Sequence, residues 1–267
     1  MIDIALALAF VALGSVVGFF AGLLGVGGGG IMVPVLTVIF LQQEIHIDTV
    51  MHLALGTSMA SIIITSLSSL LAHQKHNAIN WKLVKLMSIG VMMGTFLSTF
   101  LASHLSSFYL AIFFTAFMGY VALKMLCKKQ TRHVVKDINI SSLIFSSTGI
   151  GAVSALVSIG GGSLIVPFLT SKSVDIKKAI ATSAALGLPI SMAGTLGYLI
   201  NGWNSDFDYN HSFGFVYLPA VFLISIASFL TAPYGAKLVQ HLPVNVLKNV
   251  FAFLLITLSL KMLSSII

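Results

Sequence analysis

Long apolar stretches, separated by short polar connections, run along the whole chain of 267 residues. Eight of them are long enough to cross a lipid bilayer, which takes roughly 20 residues of α-helix. They cover residues 3–24, 51–71, 83–103, 108–126, 139–159, 179–200, 213–236 and 244–266. Two further apolar pieces, 31–41 and 163–170, are too short to cross about 30 Å of hydrocarbon. The pattern predicts an all-α polytopic membrane protein, in which each short piece completes a re-entrant hairpin or a broken spanning helix.

A run of four glycines, Gly27 to Gly30, separates the first long stretch from the first short piece, and Pro34 follows. Glycines in series weaken a helix and let the chain turn, whereas proline fits the first turn of a new helix. The new helix would point free N–H groups and the positive end of its dipole into the break. In lipid such a break is stable only where protein buries it or where it lines a polar cavity.

The same segment occurs twice. Gly27, Gly28 and Gly29 recur 133 residues later as Gly160, Gly161 and Gly162, while Gly30 becomes Ser163. The segment from Ala54 to Ser58 recurs with an offset of 125 as Ala179 to Ser183, and Leu123–Leu126 recurs with an offset of 137 as Leu260–Leu263. We call residues matched by these offsets counterparts. The chain is therefore predicted to hold a first half, 1–127, a basic linker, 128–138, and a second half, 139–267.

The number of spans predicts the relative orientation of the two halves. Each half has three plain spans plus a glycine-broken pair that enters and leaves on one side, so each half crosses the membrane an odd number of times. The two halves are then inverted-topology repeats, which places the two breaks face to face near the middle of the bilayer.

Composition and charge support this interpretation. Apolar residues make up 57% of the chain and charged residues 8%, against roughly 25% charged in soluble domains. The formal net charge of +7 arises in loops that flank the spans, so it does not indicate nucleic-acid binding. Lysine and arginine mark cytoplasmic loops. The linker region is the most basic, with Lys124, Lys128, Lys129, Arg132 and Lys136, and predicts a cytoplasmic connection in an inner-membrane protein.

The chain lacks the motifs of the common enzyme and cofactor sites. It has no phosphate-binding loop, no dinucleotide fingerprint and no His-Glu-x-x-His, so we expect neither catalysis nor a cofactor. His73 and His76 fall with Lys75 in a predicted solvated loop, where a metal site is not expected. The spans hold no charged residue near their centres, which argues against a cation path.

The polar groups at depth are backbone amides and the hydroxyls of serine and threonine. Groups that donate hydrogen bonds at helix ends suit an anion. The candidate substrate-binding residues are Gly27, Gly28, Gly29, Gly30, Thr57, Ser58, Gly160, Gly161, Gly162, Ser163, Thr182 and Ser183. Helix packing through small residues is the alternative explanation for each of them. His52, at the start of a span, is the candidate for proton coupling.

The segments Gly22–Pro34 and Gly160–Pro167, with the Thr-Ser pairs that follow them, resemble the TauE/SafE family of sulfite and organosulfonate exporters. The resemblance covers nearly the whole chain. It implies an inner-membrane transporter that moves sulfite, sulfoacetate or a related anion outward, and the inverted repeats predicted above would provide alternating access. It also implies that the matched glycines line the path, with the Thr-Ser pairs beside it. The two halves differ at Gly30 and Ser163, so the resemblance says less there.

Two other functions stay open from the sequence. One is proton-coupled import of a small sulfur-containing or carboxylate anion, and the other is a membrane scaffold that transports nothing. In either case the expected partners are the lipid bilayer and, for a transporter, a small anion, with no nucleic acid. The sequence is also compatible with a homodimer.

Overall fold

The computed structural model describes residues 3–25, 27–75, 77–127, 140–203, 211–238 and 244–266. Within these ranges the chain forms ten α-helices and one short hairpin. In chain order they are α1 (Ile4–Leu24), α2 (Gly29–Gln42), α3 (Ile47–Gln74), α4 (Trp81–His104), α5 (Ser107–Cys127), α6 (Ile140–Val157), α7 (Gly162–Ser171), α8 (Ile176–Trp203), β1 (Ser212–Phe213), β2 (Val216–Tyr217), α9 (Leu218–Leu238) and α10 (Val244–Ile266).

The prediction of an all-α polytopic membrane protein is confirmed. In the described part of the chain, six helices are long and apolar enough to span a membrane: α1, α3, α4, α5, α8 and α9. The other two predicted spans form α6 and α10. The linker 128–138 lies outside the described residues. The predicted span 213–236 is helical only from Leu218, because Gly214, with φ of 52°, turns the preceding residues into the antiparallel hairpin β1–β2.

Each glycine run interrupts the helices as predicted, but the new helices begin earlier than the proline. Helix α2 starts at Gly29, and Pro34 lies inside it. Gly28 and Gly161 precede α2 and α7 with φ of 83° and 85°, a left-handed conformation that glycine adopts without steric cost. The amides of Ile31 and Met32 both donate to Gly28 O, so the first turn is already closed before Pro34.

The broken helices are each packed along a helix of the other half. Helix α1 lies along α9, and α6 lies along α4. Glycines make both approaches close: a Cβ added to Gly14 would lie 2.8 Å from Ile224 Cα, and one on Gly94 would lie 2.8 Å from Thr148 C. Small residues let membrane helices meet at backbone distance. Helices α3 and α8 pack against each other and are the most buried of the six spans.

Candidate functional site

The two glycine breaks touch each other through their backbones. A Cβ added to Gly27 would lie 2.7 Å from Gly160 Cα and 2.9 Å from Gly160 N. A Cβ added to Gly29 would overlap the carbonyl oxygen of Ser158. All four residues are buried. In this conformation the breaks therefore close on one another, and a solute must bind beside this contact or after it has parted.

Backbone amides converge on this contact from two helix N-termini. In α2 the amides of Ile31 and Met32 bond to Gly28 O, and in α7 the amides of Leu164 and Ile165 bond to Gly161 O. The amides of Gly29, Gly30, Gly162 and Ser163 come before these bonds and have no carbonyl of their own helix to donate to. Two positive helix ends thus meet inside the protein, an arrangement that favours negative charge.

Helices α3 and α8 form the walls beside the breaks. The Ile62 side chain lies 3.3 Å from a Cβ added at either Gly27 or Gly29. On the other wall, a Cβ added to Gly187 would lie 3.0 Å from Gly160 O and 2.6 Å from Ser66 Oγ. The walls next to the breaks therefore hold apolar and small hydroxyl side chains.

The two Thr-Ser pairs are buried on these walls, and their hydroxyls are used differently. Ser183 Oγ donates to Ile180 O at 2.8 Å and to Gly25 O at 3.3 Å. Ser158 Oγ donates to Leu55 O at 3.2 Å. Ser58 Oγ is buried and has no hydrogen-bond partner among the described residues. Ser158 escaped the sequence analysis, because only its position as the counterpart of Gly25 singles it out.

The threonines of these pairs join the two halves. Thr57 Oγ1 accepts from the Tyr217 amide at 2.9 Å, and Thr182 Oγ1 accepts from the Asn80 amide at 3.1 Å. Asn80 and Tyr217, each the last residue before a helix, are counterparts with an offset of 137. Each threonine thus holds the start of a helix from the other half. This bond gives both residues a structural role whether or not they also contact substrate.

A carbonyl in the last turn of the helix before each break accepts a side-chain hydrogen bond, and the two bonds are equivalent between the halves. His73 Nε2 donates to Gly22 O at 3.1 Å, and the Tyr198 hydroxyl donates to Ala155 O at 2.9 Å. Both donor and acceptor residues are counterparts, with offsets of 125 and 133. His73 is thus buried in the last turn of α3, not in the predicted solvated loop, because the helix continues to Gln74. His76 lies outside the described residues.

His52 lies away from the breaks, near the other end of α3. It is ten residues from Ile62, about 15 Å along the helix. Its Nε2 donates to Ala102 O at 3.1 Å, and its ring lies 5.1 Å from that of Phe215. Its Nδ1 is buried and unpartnered within the part of the chain that the structure describes. Within the same ranges, no three His, Cys, Asp or Glu residues are grouped to hold a metal ion.

Comparison with known proteins matches nearly the entire chain. The family described as "Sulfite exporter TauE/SafE" matches residues 10–262. A probable membrane transporter protein of Haemophilus influenzae is 34% identical over 250 residues, 93% of this chain and 95% of that protein. A probable membrane transporter protein of Methanocaldococcus jannaschii is 28% identical over 257 residues, 95% of this chain and 94% of that protein. No solved structure gives a significant match.

Proposed function

Because this chain belongs to the sulfite exporter TauE/SafE family and matches probable membrane transporters along its length, we propose that it carries small sulfur-containing anions out of the cell. Membership of the family confirms the resemblance found in the two glycine segments, and the chain is a multi-pass membrane transporter. Sulfite and small organosulfonates such as sulfoacetate are the proposed substrates. The proposed location is the inner membrane, with the inter-half linker in the cytoplasm.

One observation carries the proposal: two helix N-termini meet at the Gly27–Gly160 contact, deep among apolar helices. Free amides there donate hydrogen bonds and place positive dipole ends toward one point. Sulfite and sulfonate oxygens accept several such bonds, and glycine lets the backbone approach them closely. The proposed binding groups are the glycines of both breaks, with Ser163 at the start of α7 and Ser58 on the adjacent wall.

Alternating access follows from inverted repeats in this proposal. Reciprocal contacts between the two halves support it. The packing of α1 against α9 is equivalent to the packing of α6 against α4, and the hydrogen bond from Tyr217 to Thr57 is equivalent to the one from Asn80 to Thr182. Two halves related by a twofold axis in the membrane plane would make such reciprocal contacts. If the halves then exchange conformations, the side to which the site opens changes as well.

The membrane potential gives the proposed direction. An inside-negative potential favours outward movement of an anion by roughly 2.3 kcal/mol per charge for each 100 mV. Export therefore needs no coupling ion, whereas import against that potential would need one.

Purified protein in liposomes tests the proposal. Vesicles loaded with radiolabelled sulfite or sulfoacetate, and carrying a potassium diffusion potential, should release the anion faster than protein-free vesicles. Reversing the potential should slow release. Acetate, chloride and sulfate, tested in the same way, define selectivity. Release no faster than in empty vesicles for every sulfur anion would contradict the proposed substrate class.

The buried, unpartnered Nδ1 of His52 favours one second candidate, proton-coupled anion import. Since Nε2 donates to a carbonyl, a neutral His52 leaves Nδ1 able to accept a proton. Under this candidate, an inward proton gradient drives uptake in the liposome assay, and His52→Gln abolishes only that dependence. Uptake unaffected by the gradient would exclude it.

A further inference from the structure

The two halves offer the breaks different hydroxyl groups, although the Thr-Ser pair is the same in both. Ser58 and Ser183 are counterparts, as are Gly25 and Ser158. The Ser183 hydroxyl is committed, since it donates to Ile180 O one turn back and to Gly25 O across the interface. The Ser58 hydroxyl has no partner among the described residues and is fully buried.

A single sequence difference explains the asymmetry. The acceptor on α3 that corresponds to Ile180 O is Leu55 O, and Ser158 Oγ already donates to it at 3.2 Å. In the other half Gly25 has no side chain, so Ile180 O stays available to Ser183. Ser158 has a φ of 46°, close to the 65° of Gly25, so the backbone leaves α6 and α1 in the same left-handed conformation. Serine at 158 therefore occupies the carbonyl that Ser58 would otherwise use.

The free hydroxyl lies on the face of α3 that meets the breaks. Leu55, Ser58 and Ile62 follow one another at helical spacings of three and four residues, which places them on one face. Leu55 O accepts from Ser158 of the second break, and the Ile62 side chain lies 3.3 Å from the position that a Cβ would take on Gly27 or Gly29 of the first. Ser58 lies between Leu55 and Ile62 on this face and is therefore next to both breaks.

Other buried hydroxyls do not share this position. Ser69, Ser154 and Ser225 also lack a side-chain partner within the described ranges. Ser69 lies seven residues beyond Ile62 on α3 and Ser225 lies in α9, while Ser154 lies in the last turn of α6, a C-terminal end whose dipole disfavours an anion. A buried hydroxyl without a partner costs free energy, and an anion that accepts from it removes that cost. Of the four, only Ser58 combines a free donor with a place at the two helix ends.

We infer that Ser58 is the substrate hydrogen-bond donor, that Ser158 keeps it free by occupying Leu55 O, and that Ser183 is a structural counterpart. The inference rests on the proposed function and adds that the two Thr-Ser pairs contribute unequally to binding the oxyanion. The bound substrate is an oxyanion of sulfite or sulfonate type, because its terminal oxygens can accept hydrogen bonds from the Ser58 hydroxyl and from nearby backbone amides at the same time.

The matched pair Ser58→Ala and Ser183→Ala tests the inference in sulfite-loaded liposomes. Ser58→Ala removes a hydroxyl without a protein partner, so the melting temperature should stay the same or rise. Its KM for sulfite should increase about 10- to 100-fold, the effect of losing a hydrogen bond to a charged group. Ser183→Ala breaks two bonds, so its melting temperature should fall while its KM changes much less.

Ser158→Gly tests the same inference independently, because it introduces the residue found at the counterpart position, Gly25. Leu55 O then becomes available to Ser58, so KM should rise although Ser58 is still present. The double variant Ser58→Ala with Ser158→Gly should have the KM of Ser58→Ala alone. Additive effects would overturn the inference.

The outcomes separate the inference from the proposed function. If wild-type protein moves sulfite and KM is the same in Ser58→Ala as in wild type, the inference is wrong and the transport function stands. If Ser183→Ala raises KM as much as Ser58→Ala does, the asymmetry is wrong. If wild-type protein moves no sulfur anion, the proposed function itself is contradicted.

Discussion

The sharpest prediction concerns Gly29, where the first break presses against the second. A Cβ at this position would overlap the Ser158 carbonyl oxygen and lie 2.6 Å from its carbonyl carbon, whereas ordinary contacts are 3.4–4 Å. Clearing the carbonyl carbon alone requires the second break to retreat by 0.8 Å (3.4 minus 2.6 Å), and the oxygen, which lies nearer, requires more. Gly29 lies within α2 and its φ is not positive, so backbone strain does not oppose the substitution. The Ser158 carbonyl is the main obstacle, because the other neighbour, at 3.3 Å, is the end of the Ile62 side chain, which can shift.

The expected cost follows from the neighbours. Inserting a methyl group into packed backbone costs about 1–3 kcal/mol, which lowers the population of the closed conformation roughly 5- to 150-fold. Gly30→Ala is the matched control, because its Cβ would meet the end of the Leu255 side chain at 2.8 Å. That side chain can rotate away, and both substitutions gain the same helix propensity.

Sulfite release from liposomes, with detergent-purified protein checked for monodispersity and melting temperature, decides the outcome. Gly29→Ala should melt lower than Gly30→Ala and release sulfite several-fold more slowly. Equal melting temperatures and equal rates in the two variants would refute the reasoning that the close contact between Gly29 and the Ser158 carbonyl stabilises this conformation and affects transport.

Three further predictions test the surroundings of the breaks and the orientation of the halves. Gly28→Leu or Gly161→Leu, each at a left-handed backbone position, should lower flux at least tenfold while the protein still inserts, as measured by release and by membrane fractionation. Unchanged flux in both would remove the proposed path. His73→Phe should lower the melting temperature by removing the bond to a buried carbonyl, about 1–3 kcal/mol, whereas His73→Tyr, the residue of the second half, should restore it. A tyrosine variant as unstable as the phenylalanine variant would count against the matched roles. Cysteines placed at the exposed Lys75 and His211, with the native cysteine replaced, should react with an impermeant maleimide from opposite sides of the membrane. Labelling from one side only would contradict inverted repeats.

Much of the architecture was predictable because membrane helices are specified locally. A span must satisfy its own backbone and present apolar side chains for about 20 residues, so its position is visible without knowledge of its neighbours. The breaks were predictable for the same reason, since glycine runs followed by proline change the local backbone. The starts of the short helices were not, because the first turn closes on the carbonyl of a left-handed glycine, Gly28 or Gly161.

The candidate residues could be chosen from the sequence, but their hydrogen bonds could not be predicted from it. The repeated Thr-Ser pairs singled out Thr57, Ser58, Thr182 and Ser183, and all four are buried beside the breaks or at the joint between the halves. Their hydrogen bonds differ, although the motif is the same. His73, assigned to a loop from its polar neighbours, is a buried donor to the end of α1.

The sequence by itself determined that the chain is a polytopic helical membrane protein, where two glycine runs interrupt its helices, and which of its segments repeat. These properties depend on neighbours along the chain and on the absence of water in lipid. Only the tertiary structure decided that Gly27 meets Gly160, that Tyr198 matches His73, and that Ser158 leaves the Ser58 hydroxyl free. Those relations join segments distant in sequence, and a difference of a few tenths of an ångström between such segments decides whether a hydrogen bond forms.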